Sequence, residues 1–405
     1  VSVRVATALV DTDFEHRLVQ RLAKVDAGAF VVRRCLDLIE LRSVAAAHLA
    51  DVVVVDPNLR GFDRDVVSQL HTLGVRVVGV LVSRPGEPAA SSHVAFGLGM
   101  DAVVAADPDE ACRALRGGVT SPPALRATQE DVPEGQLIAV WGPLGSPGRT
   151  TVATALAGEF CRAQTQTLLA DADSYGASMA QQLGLLDDAS GLAAACRLAS
   201  AGRFGDEELG RCSVPVPGGL RVLTGIARPE RWDELRPASL EAVWAACRRG
   251  QAVTIVDIGF CVEHDELAWA DGGQPQRNQA SVVTLRTADV VVAVADPTPV
   301  GLVRFIRDLP RVRSLAPTAQ IHVVVNRAAK RDEAPVRDLM ATQLGLAAMK
   351  FLPTDAAVVD AWRAGHMLSE RRRRTAMQKA LSDLVEEIVG ELVGVAPSKV
   401  SRRSA

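Results

Sequence analysis

Short, continuously apolar runs recur along the chain, separated by stretches whose apolar residues return at helical spacing. In the first part they fall at Val3 to Val10, Phe30 to Arg33, Asp51 to Asp56, Val75 to Val82 and Asp101 to Ala105. That pattern predicts five strands of one small parallel sheet interleaved with helices. A second series follows at Leu137 to Trp141, Thr167 to Ala170, Ala252 to Val256, Val290 to Ala295, Ile321 to Val325 and Met349 to Leu352. Strands without polar alternation are those covered on both faces, and their ligand crevice is expected at the carboxyl ends.

Between the two series the segment GGVTSPPALRATQEDVPEG lacks apolar periodicity and collects Gly, Pro, Ser and Thr, the composition of a linker. The expected organisation is therefore α/β throughout: a first domain over 1–115, a linker over 116–135, a second domain over 136–395 and a tail over 396–405. A length of 405 residues agrees with two cores rather than one.

Composition narrows the function classes. Hydrophobic residues at 48% and charged residues at 23% describe a globular chain, and 4% aromatics with a single Tyr leave Val, Leu and Ala to build the interior. A net charge of −3 supplies no global attraction to nucleic acid or anionic lipid, so nucleic acid is not an expected partner. Seven scattered cysteines include no C-x-x-C pair, which argues against a disulfide framework or a thiolate metal site. Apolar runs stay too short for a transmembrane segment and no basic leader precedes one, so the expected address is cytoplasmic.

The chemistry concentrates at the start of the second series. In IAVWGPLGSPGRTTVATALAGEF a buried strand runs into a Gly/Pro turn, then a cation, two threonines and a helical pattern, which is the order of a phosphate-binding loop. Gly142, Gly145 and Gly148 permit close backbone approach, Ser146, Thr150 and Thr151 add hydroxyls, and Thr150 is placed to meet Mg²⁺. Against the pattern G-x-x-x-x-G-K-[ST], Pro143 replaces the first Gly and Arg149 replaces the Lys; arginine keeps the charge but not the geometry. A turn that binds nothing remains the alternative for this segment alone. Downstream, TLLADADSYG ends a strand in Asp171 and Asp173, and AVTIVDIGF ends another in Asp257.

These ordered motifs resemble the MinD/ParA-type P-loop ATPases over about Gln136 to Gly390, closest to CpaE-like septum-site and pilus-assembly proteins. The resemblance implies ATP and Mg²⁺ as cofactors. It implies that Asp173 orients the attacking water with Arg149 beside it, that Asp171 and Asp257 support Mg²⁺, and that Gly259 opens a second switch. It further implies that Asn326 reads adenine and that Pro353, Thr354 and Asp355 lie near the base or ribose. Where the family carries a further lysine that reaches across a nucleotide-bridged dimer, this chain has Leu144, so turnover is expected to be slow. The expected role is spatial regulation, in septum-site selection or in positioning a pilus or secretion assembly. Protein partners, nucleotide-dependent homodimerisation and partner-mediated membrane recruitment go with it. A non-hydrolysing scaffold is the competing reading.

In the first domain, DVVVVDPNLRGFD resembles the third strand of a receiver, with Asp56 at the phospho-acceptor position and Asp11 and Asp13 as its acidic pair. Ser83 supplies a hydroxyl, but Ala105 and Ala106 occupy the region of the expected lysine, which favours a pseudo-receiver used for docking. Residues Phe260 to Gln279 are polar and acidic and are expected to form a lid or partner loop; Glu263, His264, Asp265 and Glu266 within it lack metal-site spacing. Met377 to Val393 follow helical spacing, and the acids Asp383, Glu386, Glu387 and Glu391 favour packing on the second domain over lipid binding. Arg371 to Arg374 are expected to be a solvated helix start.

Overall fold

Central strands of the first unit are built from β-branched residues because each must fill space above and below the sheet. The computed structural model describes residues 2–24, 28–82, 92–116, 134–185, 189–263, 275–371 and 373–395, with side chains to residue 390. The first unit runs β1 (Val3–Ala8), α1 (Thr12–Leu22), β2 (Ala29–Arg34), α2 (Leu38–Ala46), β3 (Val52–Val55), α3 (Arg64–Thr72), β4 (Arg76–Leu81), α4 (Ser92–Gly97), β5 (Ala102–Ala105) and α5 (Pro108–Arg116). Strand order is β2-β1-β3-β4-β5, with every pair parallel. This is the 2-1-3-4-5 order of flavodoxin-like sheets, whose crevice opens between β1 and β3.

The second unit continues with β6 (Gln136–Trp141), α6 (Arg149–Arg162), β7 (Thr167–Ala172), α7 (Met179–Gln182), α8 (Gly191–Ser200), α9 (Asp206–Cys212), β8 (Val214–Pro215) and β9 (Arg221–Leu223). Then follow α10 (Pro237–Gly250), β10 (Val253–Ile258), α11 (Gln279–Thr287), β11 (Val290–Ala295), α12 (Pro299–Leu315), β12 (Gln320–Val325), α13 (Glu333–Leu344), β13 (Lys350–Phe351), α14 (Ala356–Arg363) and α15 (Ala376–Val395). The strands order as β13-β12-β11-β6-β10-β7-β9-β8, parallel except for β8, which runs antiparallel to β9. Each strand expected from the apolar runs is present. The edge strands β8 and β9 escaped the sequence reading because they are two and three residues long, below the length at which an apolar run is distinctive.

Alternation along β6 separates the two cores of this sheet. Leu137, Ala139 and Trp141 join one cluster with residues of α8, α10, α11 and α12, whereas Ile138 and Val140 join another with α6 and α15. In α15, Met377, Leu381, Leu384, Val385 and Ile388 are buried against α6, so this helix spends its apolar face on the protein interior as its acids suggested. Arg374 reaches the buried Glu159 of α6 at 3.4 Å, and Gln378 donates to the same carboxylate at 3.3 Å. One arginine of the run is thus tied to the protein, and Arg372 lies outside the described residues. Among the described residues no helix is long and apolar enough to cross a membrane.

The two units touch through α3, α4, α8 and α10. Gly97 and Gly202 meet so closely that a Cβ added to Gly97 would lie 2.1 Å from the Gly202 carbonyl oxygen. Residues 117–133, which hold most of the expected linker, lie outside the described residues, as do 264–274 of the expected lid and the tail at 396–405.

Candidate functional site

A turn between β6 and α6 brings backbone amides to the carboxyl edge of the sheet. Gly145 at φ +118° and Gly148 at φ +98° take left-handed conformations, with Ser146 at φ +54° between them, and only glycine enters that region without strain. Gly142 is fixed for a different reason: a Cβ there would fall 2.6 Å from the carbonyl oxygen of Val294. Gly148 is the N-cap of α6 and offers no side-chain cap. Among the described residues no protein acceptor meets the amides of Gly145, Ser146, Gly148, Arg149, Thr150 or Thr151. Uncapped helix amides carry partial positive charge and complement an anion.

The cation and the acids of the motifs converge beneath this turn. Arg149 donates through Nη1 to the carbonyls of Gly142 at 3.2 Å and Pro143 at 3.4 Å, and through Nη2 to Oδ2 of Asp173 at 2.9 Å. Oδ1 of Asp173 accepts from the amides of Tyr175 at 2.9 Å and Gly176 at 3.2 Å. Asp171 turns the other way along the chain: it accepts from the amides of Asp173, Ser178 and Met179 at 3.2, 3.0 and 3.1 Å. Complete burial pushes its carboxyl up to about 6, helped by the charge of Asp173. Asp173 therefore holds the cation, whereas Asp171, expected beside Mg²⁺, shapes the loop into α7.

Asp257, the end of β10, accepts from the Thr150 hydroxyl at 2.5 Å. Its other oxygen is buried without a hydrogen-bond partner among the described residues. Burial, then the neighbouring Asp171, raises its pKa well above the usual carboxylate value. A buried carboxylate oxygen with no donor is costly, and a divalent cation beside Thr150 would satisfy it. Among the described residues no three His, Cys, Asp or Glu side chains converge on a metal. The donor set suits Mg²⁺, which shares one or two protein oxygens with phosphate and water rather than entering a full protein cage.

Beyond the turn a cavity of about 440 Å³ is lined by Ser146, Gly148, Arg149, Thr150, Thr151, Asp173, Asn326, Pro353, Thr354 and Asp355, residues drawn from motifs far apart in sequence. Asn326 is 4% exposed and donates through Nδ2 to the Pro147 carbonyl at 2.8 Å; a Cβ on Gly148 would stand 2.2 Å from that nitrogen. Asp355 uses Oδ1 to cap α14, accepting from Ala357 at 3.0 Å. Gly142, Asp171 and Asp257 do not line the cavity, and Gly145 lines a neighbouring one with Leu144 and Arg304. Leu144 is half exposed, and its carbonyl accepts from Arg304 at 3.0 Å.

Gln182, Arg327, Val358, Val359, Trp362 and Met377 also line the cavity and were not singled out as site residues from the sequence. Arg327 had a readable signal as the neighbour of Asn326; at φ +58° it donates to the Ser146 carbonyl and pairs with Asp296 at 3.3 Å. Trp362 and Met377 carried none, because helical apolar positions usually mean core.

In the first unit Asp56 is fully buried at the end of β3, and its Oδ1 accepts from the Asn58 amide at 2.8 Å. Asp11 is the N-cap of α1, accepting from Asp13 at 3.0 Å and Phe14 at 2.9 Å, while Asp13 is exposed in the first turn of that helix. Ser83 lies outside the described residues, and so do His264, Asp265 and Glu266.

No family model matches the chain, and no curated protein matches it. Solved structures do. A ParA family ATPase from Chlorobium tepidum superposes with a TM-score of 0.52 at 16% identity, covering 62% of this chain and 98% of that one. The ATP complex of a Cyanothece McdA variant gives 0.50 at 16% identity, covering 66% and 99%. The cell division ATPase MinD of Pyrococcus furiosus aligns at 19% identity over 64% and 99%, with a TM-score of 0.49. At such identities the likeness concerns architecture: this chain contains the fold of the MinD/ParA-type P-loop ATPases.

Proposed function

We propose that the chain is a CpaE-like relative of the MinD/ParA ATPases that binds ATP with Mg²⁺ and uses the bound state to place a protein assembly, at a division septum or a pilus or secretion apparatus. The observation that carries this reading is the set of unpartnered amides of Gly145, Ser146 and Gly148 to Thr151 at the turn, most of them on residues that line the cavity, with the Thr150–Asp257 pair beside them. The amides and Arg149 hold the triphosphate, and Thr150 and Asp257 hold Mg²⁺, with Asp171 adding negative charge alongside. When bound, Mg²⁺ would supply neutralisation of charge on the phosphate oxygens. Asn326, Pro353, Thr354 and Asp355 face the base and ribose. Titration calorimetry with ATP and Mg²⁺ tests the reading: one site with Mg²⁺-dependent affinity is expected, and no heat of binding overturns it.

Hydrolysis requires Asp173 to orient water for attack on the γ-phosphorus as the bond to the leaving ADP oxygen breaks. Because both oxygens of Asp173 are already engaged, turnover is slow. The same engagement favours the second reading, a non-hydrolysing scaffold of the nucleotide fold that docks partners. A single-turnover assay separates them, slow cleavage lost in Asp173→Ala supporting the ATPase and equal, background rates supporting the scaffold.

In this reading residues 1–115 form a pseudo-receiver docking domain, 116–135 a linker and 136–395 the nucleotide domain. Asp11 serving as a helix cap through Oδ1 is a structural use of that acid and supports docking over phosphotransfer. Membrane recruitment would come through partners, because α15 has its apolar face buried. Nucleotide-dependent pairing of two copies would use the face around Leu144, and a cytoplasmic setting goes with all of these roles.

A further inference from the structure

Helix α10 begins without a cap of its own. Arg236 stands at its N-cap with no side-chain bond to the helix, and Pro237 at its first position brings no amide. The missing acceptor comes from the other unit. Asp65 of α3, 6% exposed, accepts the Ala238 amide at 3.0 Å through Oδ1 and the Ser239 hydroxyl at 3.0 Å through Oδ2. Its neighbours complete the grip: Asp63 pairs with Arg236 at 2.6 Å, and Arg64 donates to the Ala238 carbonyl at 3.2 Å and to Gly97 at 2.5 Å. Burial raises the pKa of Asp65, so its charge is tolerated there because these donors meet it.

The other end of α10 is tied to the nucleotide sheet. Arg248 donates to the Gly135 carbonyl at 3.0 Å and pairs with Asp289 at 2.6 Å, which in turn accepts the Leu137 amide at 2.8 Å. Between these ends Leu240, Val243, Trp244 and Cys247 pack in one cluster with Trp141 and Val256. A helix of 14 residues is a strut of ~21 Å. It leads directly into β10, at whose far end Asp257 meets Thr150.

We infer that Asp65 is a positioning residue for the nucleotide site: held by the first unit, α10 sets the stand of β10, and hence of Asp257 against Thr150. This rests on the nucleotide reading above and adds to it that the N-terminal unit is a built-in effector of the Mg²⁺-dependent part of ATP affinity. By reciprocity, nucleotide bound at Asp257 tightens the α3–α10 joint.

Full-length protein is compared with Asp65→Ala, with Asp65→Asn as the conservative variant, and with Arg236→Ala as a milder cut should the alanine fail to fold. The quantity read is the ratio of ATP affinity with Mg²⁺ to that in EDTA. A fall in this ratio of at least about fivefold is expected in Asp65→Ala, with EDTA affinity and binding stoichiometry unchanged and with partial recovery in Asp65→Asn. A merely structural loss would lower stoichiometry and leave the ratio alone. Hydrogen exchange without nucleotide is the second arm: residues 237–260 are expected to exchange faster in Asp65→Ala while 290–325 do not. Wild type that binds no ATP removes the nucleotide reading, and exchange then still decides the mechanical claim. An unchanged ratio in a binding-competent variant, or exchange that rises equally everywhere, overturns the inference.

Discussion

Nη2 of Arg149 lies 2.9 Å from Oδ2 of Asp173, so the cation of the phosphate-binding turn and the acid assigned to the attacking water hold each other. Both are largely buried, at 12% and 6% side-chain exposure, which keeps the pair from being screened as a surface pair would be. The fork of arginine makes this possible, since one nitrogen faces the carbonyls of Gly142 and Pro143 while the other faces the acid. A lysine ammonium cannot span both.

Arg149→Lys is therefore expected to free Asp173 and to raise the single-turnover rate of ATP cleavage by about tenfold or more, within what a positioned proton-handling group supplies. Arg149→Ala should instead weaken ATP binding roughly tenfold or more, the loss of a hydrogen bond to a charged group. Quench-flow and calorimetry on the two variants read these effects separately. A lysine variant no faster than wild type would mean that the ion pair does not restrain the acid.

Asp171 gives a pH signature. Its folded pKa, about 6, stands above the unfolded value, so the folded state binds the proton more tightly. Its contribution is then fully present below about pH 4 and is lost as pH rises towards 6, amounting to about 3 kcal/mol for a shift of this size. Asp171→Asn removes the titration. The stability difference between wild type and variant should change in favour of the variant as pH rises from about 4 to 6, as measured by urea unfolding at stepped pH. A difference flat across that window contradicts the assignment.

Trp362 predicts where the base goes. It lines the cavity together with the apolar Val358, Val359 and Met377, and the same cavity takes polar lining from Thr150 and Arg149. Trp362→Ala should cost ATP about threefold to tenfold in affinity, the value of one aromatic contact, and leave inorganic tripolyphosphate binding unaltered. Equal losses for both ligands would place Trp362 in a general packing role.

The C-terminal helix is expected to act as core. Leu384 is fully buried in the cluster it shares with α6, and Leu384→Ala should destabilise the protein by about 3 kcal/mol. Vesicles of anionic lipid should not bind the wild-type chain through this helix. Denaturant titration and vesicle co-sedimentation check the two halves of the statement.

Strands were legible wherever an apolar run was long enough to be covered on both faces, as at Val290–Ala295. The positions of Thr150, Asp173, Asp257 and Asn326 at strand ends or helix starts could also be read, because parallel topology delivers such positions to one edge. What sequence order does not encode is which hydrogen bonds a carboxylate takes. Asp171 and Asp173 end the same strand in the sequence, yet Asp171 accepts amides on the approach to α7 and Asp173 holds Arg149. Asp11 and Asp13 looked like an acidic pair, although an Asp followed by Thr, Asp, Phe and Glu is equally a helix start, and that is the use Asp11 has. The joint at Asp65 left no trace in the pattern, since a partner 173 residues away is a property of the folded chain.

Where Gly97 crosses Gly202, neither strand of backbone leaves room for a methyl group. A single alanine at either position would act as a wedge of fixed thickness, prising the halves apart while adding no charge and removing no ion pair. Graded wedges of Ala, Ser and Val at Gly97 would turn the seam into a dial, against which any response of the distant phosphate turn could be calibrated.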